Sequence, residues 1–223
     1  VSSGFNRIPG HEPARTLTGV NTVPSRPSAR VLPPNPAQAA IVVGGFAVVL
    51  YLVELVDRVV RGGLDQFGIV PRDATGLMGI LWAPLLHNGW QHLFANTLPF
   101  VVLAFLAMAN GLGQWVAVTA TIWLVSGFGV WLTADSGSLT VGASGLCFGW
   151  LLFLLVRGLF TRSAVQLGLA VVLLLYWGTM LFGVLPGDPR ISWQGHLFGA
   201  LGGVLAAWFV SLGNRSTAKA TPA

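Results

Sequence analysis

Apolar residues in this chain fall in long runs rather than in stripes. Six runs can be drawn, at 37–56, 90–108, 115–132, 144–156, 165–182 and 196–212. Most approach the ~20 residues that cross a ~30 Å hydrocarbon core at about 1.5 Å rise per residue. The expected fold class is all-α, a polytopic membrane protein built as a six-transmembrane-helix bundle. Between the first two runs lies the longest loop, 57–89, with Gly62, Gly63, Pro71 and Arg72 and then an apolar stretch, 77–86. That stretch is too short and too marked by Gly and Pro to cross. It reads as lying in or on the outer leaflet, packed on the bundle, and an insertion of this length points to function. Residues 1–36 hold four arginines, many prolines and no long apolar run, so they read as a disordered tail. With no cleavable signal peptide in that tail, the first run is expected to act as an uncleaved signal anchor. The membrane domain is then 37–212, followed by a short tail, 213–223.

Composition agrees. Apolar residues make up 54 % and charged residues 9 %, against roughly a quarter charged in an average soluble domain. The net charge of +5 comes from residues scattered over tails and loops, with no basic patch interleaved with aromatics, so nucleic acid is not an expected partner. Loop charges set the orientation. With the N-terminus inside, Arg7, Arg15, Arg26, Arg30, Arg157, Arg162, Arg215 and Lys219 are cytoplasmic, and only Arg58, Arg61, Arg72 and Arg190 are outside. Eight against four favours cytoplasmic termini at both ends. The excess of arginine over lysine, with abundant Gly, Ala and Val, suggests a bacterial source and hence the cell membrane. A single cysteine, Cys147, excludes an internal disulfide and reads as a buried structural thiol.

The fourth run is the anomaly. From 144 to 156 there are 13 residues, a helix of about 20 Å, short and recessed if Arg157 and Arg162 pin its inner end. Its other end, Gly142-Ala143-Ser144-Gly145, then lies inside the membrane, preceded by the polar segment 135–141. Irregular backbone at that depth is tolerated only in protein or beside water, so a hydrated pocket open to the outside is expected. By the same ruler Asn96 lies about 21 Å, and His92 about 27 Å, above the inner-side turn at Asn110. His196 lies at most about 28 Å above Arg215. Polar residues from three helices thus converge at one depth, and intramembrane polar residues mark functional sites.

Each has two readings. Ser144, at a helix start among small residues, suits a nucleophile whose neighbouring N–H groups stabilise an oxyanion. Equally, Gly142, Ala143, Ser144 and Gly145 suit a helix-packing surface. His196 precedes Gly199 and Gly203, a Gly-xxx-Gly face that permits close helix approach. If the fourth helix is the neighbour, the imidazole is placed to take the Ser144 proton; otherwise it is a structural histidine. His92 and Asn96 share a helical face at i,i+4, as oxyanion donors or as an interhelical hydrogen-bond pair. No carboxylate is placed to complete a triad, which leaves a Ser–His dyad. Metal is not expected either: His87 and His92, five apart, lie about 140° apart around a helix and so share no face, and no acid sits in a transmembrane position to complete a zinc site.

Together these residues resemble the rhomboid family of intramembrane serine proteases. The matching motifs are His87-x4-His92-x3-Asn96, Gly142-Ala143-Ser144-Gly145, and Gly195-His196 with Gly199 and Gly203. The resemblance covers roughly residues 77–212, with the motifs in the family's order. It implies Ser144 as nucleophile, His196 as general base, and His92, Asn96 and the Ser144 N–H as oxyanion hole. Gly142 would permit the adjoining loop conformation, and His87 would be structural. The fifth span and the loop 183–193 would correspond to the substrate's entry region. Two departures stand out. Gly76-Leu77-Met78-Gly79 replaces a Trp-Arg pair that many members carry, which bears on loop stability, and Phe148 replaces a tyrosine stacked on the histidine. The expectation is a cofactor-free serine endopeptidase cleaving transmembrane protein substrates near the outer surface of the lipid bilayer. The alternatives are an inactive relative that binds or escorts transmembrane clients, and a small transporter or channel.

Overall fold

A computed structural model describes residues 30–61, 63–188 and 190–220, with backbone alone over 214–220. Residues 1–29, most of the tail expected to be disordered, lie outside it. Helix α1, Pro36–Val59, starts at Asn35, whose side chain accepts from the Gln38 N–H at 3.1 Å, and has proline in its first turn, where no intrahelical donor is lost. Helix α2, Gly76–Trp82, with a 3-10 turn at Ala83–Leu85, is the short apolar stretch inside the long loop. Then come α3 (Trp90–Ala107), α4 (Leu112–Thr133), α5 (Ser144–Thr161), α6 (Ala164–Trp177, running on as 3-10 turns to Val184) and α7 (Trp193–Ala220). Six of these helical segments are long and apolar enough to cross a membrane, and α2 is not. The fold is an all-α, six-helix bundle; among the described residues the only strand-like pairing is one bridge, Ile69 to Thr140.

Helix α5 is the axis. Of its most apolar 18-residue window 56 % is buried, against 22 % for α1 and 11 % for the segment containing α6, so those two are peripheral. Burial of α5 rests on contact with α7, where Gly145 and Gly149 face Gly199 and Gly203. A methyl on Gly199 would collide with the Gly145 carbonyl, and one on Gly203 with the Gly149 carbonyl. Only hydrogen side chains let two backbones approach so closely. The neighbour of the Gly-xxx-Gly face is therefore the helix that Ser144 opens.

One length expectation is corrected. Helix α5 has 18 residues, not 13, or about 27 Å, and Arg157 does not mark its end. Arg157 is 3 % exposed, buried inside the bundle one turn before the helix stops. A sequence ruler that reads every arginine as a surface charge truncates the helix.

The long loop is fastened at several points. Ile69 and Thr140 exchange backbone hydrogen bonds of 2.9 and 3.0 Å, and Gly142 N–H donates to the Ala83 carbonyl at 2.8 Å. These bonds satisfy the irregular backbone before α5. Arg72 donates to the carbonyls of Leu132 (3.2 Å) and Ala134 (2.8 Å), and the Trp131 and Trp123 indoles donate to Asp73 and Ile80 carbonyls. Gly76 and Gly79 let α2 lie directly on the 68–70 backbone; a methyl at either would strike Val70 or Gly68.

Candidate active site

Ser144 is the first residue of α5, so its N–H has no intrahelical acceptor. Its Oγ lies 2.8 Å from His196 Nε2, across the α5–α7 contact just described. The other ring nitrogen, Nδ1, lies 3.0 Å from the Gly183 carbonyl. A carbonyl only accepts, so Nδ1 carries the ring proton and Nε2 is left to accept the serine proton. Gly183 belongs to the 3-10 continuation of α6. A backbone carbonyl thus occupies the place a carboxylate takes in a triad. No sequence signal could have shown it, because every residue has a carbonyl. Phe148, one turn along α5, stacks on the imidazole with centroids 4.0 Å apart and planes 9° apart. The ring is clamped on one face and at one edge.

On the opposite wall stand His92 and Asn96 of α3, and all four residues line one cavity of about 520 Å³. Asn96 is buried, and its Nδ2 has no hydrogen-bond partner among the described residues, so it can donate to an oxygen held in that cavity. Gly142 has φ +125°, a conformation open to glycine, and a Cβ there would sit 2.7 Å from His92 Cε1. Glycine therefore lets the loop turn and lets the His92 ring approach. Ser126, not singled out by the sequence, donates to the Gly195 carbonyl at 2.9 Å and ties α4 to α7 beside the Ser144–His196 contact.

His87 stands apart. It lies before α3 rather than on it, which corrects the helical-face reasoning; its ring is 5.1 Å from that of His92, edge to face. Its Nε2 accepts from the Ala143 N–H at 3.4 Å, and it does not line the cavity. Burial, helped by His92, pushes its pKa down to about 3. A neutral, buried His87 holds the loop that delivers Ser144. At the cavity mouth, Arg190 and Asp188 form an exposed ion pair at 2.7 Å in the loop before α7. Arg190 holds the Asp188 carboxyl down at about 2.

Residues 74–213 match the family described as Rhomboid domain. The chain is 42 % identical over 222 residues to an uncharacterized protein of Mycobacterium tuberculosis, covering 92 % of each. It is 46 % identical over 180 residues to an uncharacterized protein of Mycobacterium leprae, covering 77 % of this chain and 71 % of that one.

Proposed function

Since the chain belongs to the rhomboid family of polytopic membrane proteins, we propose that it is an intramembrane serine endopeptidase acting through Ser144 and His196. The observation that carries this reading is the 2.8 Å contact between Ser144 Oγ and His196 Nε2, with the imidazole fixed in the accepting tautomer by Gly183. As Ser144 Oγ bonds to the substrate's carbonyl carbon, its proton passes to Nε2 and the carbonyl electron pair moves to oxygen. That oxyanion is met by the Ser144 N–H, His92 and Asn96. Collapse breaks the C–N bond, and His196 returns its proton to the leaving amine. Water then attacks the acyl carbon, giving its proton to His196, and Ser144 leaves with that proton restored. No cofactor enters any step.

The substrate is a transmembrane segment cut near its outer end, and loop charges favour cytoplasmic termini with the cavity facing outward. The test is cleavage of a fluorogenic transmembrane peptide in proteoliposomes. Wild type is expected to cleave, and Ser144→Ala and His196→Ala to be inert. Cleavage by Ser144→Ala at the wild-type rate would overturn the assignment. Binding of the peptide without cleavage by folded wild type would favour a client-binding relative.

A further inference from the structure

A second cavity, of about 210 Å³, lies at the other end of α5, thirteen residues from Ser144, or about 20 Å along the axis. Its walls come from α4, α5, α6 and α7. Arg157 reaches into it. The residue is 3 % exposed, and its Nε and Nη1 have no hydrogen-bond partner among the described residues. Its Nη2 donates to the Arg30 carbonyl at 3.4 Å, and its guanidinium carbon lies 5.8 Å from the centre of the Phe153 ring. Among the described residues no carboxylate lines this cavity. The polar groups around it are the neutral side chains of Asn110, Gln114, Thr161, Gln166 and Ser211, and Gln114 Nε2 is a buried donor with no partner among the described residues.

Burying a cation without a counter-charge is strongly unfavourable. Nε carries one N–H and Nη1 two, so Arg157 offers three donors to the cavity, and Gln114 Nε2 offers two more. One positive charge, a surplus of donors and no acid describe a receptor for an oxyanion. At about 30 Å³ per water, the space holds about seven waters, enough for a tetrahedral oxyanion with residual solvent. Guanidinium favours phosphate, whose several acceptor oxygens match its donors.

We infer that the Arg157 cavity is a binding site for a phosphate group, separate from the Ser144 site and independent of any proteolytic role. The chemistry is shared by inorganic phosphate and by the headgroup of an anionic phospholipid. The latter is abundant beside this end of the bundle if it faces the cytoplasmic leaflet.

The test is thermal unfolding of the delipidated full chain in neutral detergent, at matched ionic strength. One arm adds 10 mM inorganic phosphate in place of chloride. Another adds phosphatidylglycerol to the micelles in place of phosphatidylcholine. A ligand that binds only the folded state raises Tm, here by an expected ~3 °C or more. The shift is expected to vanish in Arg157→Gln and to shrink in Gln114→Leu, which keeps the charge and serves if Arg157→Gln does not fold. A shift with phosphate alone identifies the free anion as ligand; a shift with phosphatidylglycerol only identifies the lipid. No shift in either arm for wild type would overturn the inference. So would a shift of unchanged size in both variants.

Discussion

Replacing Gly199 with alanine drives one methyl group into the contact that holds the dyad together. An added Cβ would sit 2.9 Å from the Gly145 carbonyl carbon and 3.0 Å from its Cα, and nearer still to the oxygen. Ordinary carbon contacts lie at ~3.5–4.0 Å, so α7 must recede from α5 by about 1 Å. Both backbones are rigid helix, with no flexible side chain to absorb the overlap. Gly199 is one turn from His196 and Gly145 adjoins Ser144, so the displacement falls on the 2.8 Å dyad contact. Lengthened by about 1 Å, that contact exceeds hydrogen-bond range. A misplacement of this size costs ~10²-fold in rate, while overpacking costs about 1–3 kcal/mol of stability. The assay is kcat/KM on a transmembrane peptide in liposomes, with SDS-induced unfolding measured in parallel. Gly168→Ala is the control, because a Cβ there meets nothing within 4 Å. Wild-type activity and stability in Gly199→Ala would refute the claim that this glycine contact sets the dyad's geometry.

Removing the aromatic clamp in Phe148→Ala forfeits a stacked pair worth roughly 0.5–1.5 kcal/mol. Peptide cleavage should fall by about 2- to 10-fold or more, whereas Phe148→Tyr should stay near wild type. His87 has a folded pKa of about 3 against ~6.5 unfolded. Between those values only the unfolded chain takes up a proton, so acid destabilises the fold. The contribution is at most about 1.4 kcal/mol per pH unit, and stability–pH curves for His87→Phe should lack it. Arg72→Ala removes the bonds to Leu132 and Ala134. Amide exchange over residues 69–76 should accelerate with little change in exchange across α5, and equal protection in both forms would show that Arg72 does not fasten the loop.

Much of the fold was legible because a bilayer imposes one rule on long apolar runs, and all six correspond to helices. The boundaries were not. Arg157 reads as an end marker because charge at a run's edge ordinarily means water, yet its guanidinium turns inward to a polar cavity. The meeting of Ser144 and His196 could be read from polar residues at a common depth, and the Gly-xxx-Gly face named the right neighbour. What escaped were backbone acceptors. The Gly183 carbonyl that orients His196, and the Gly195 carbonyl held by Ser126, depend on where the chain passes in space and leave no mark on residue identity. His87 misled for a related reason. A helical wheel extended backwards from α3 does not apply to residues before its first turn.

The central claim is that His196 activates Ser144. The most direct measurement is reaction of the purified full chain with a fluorophosphonate, locating the adduct by mass spectrometry in wild type, Ser144→Ala and His196→Ala. A single adduct on Ser144, formed by wild type and lost in both variants, is predicted. An adduct at another residue, or one that forms on Ser144 equally fast without His196, would contradict it.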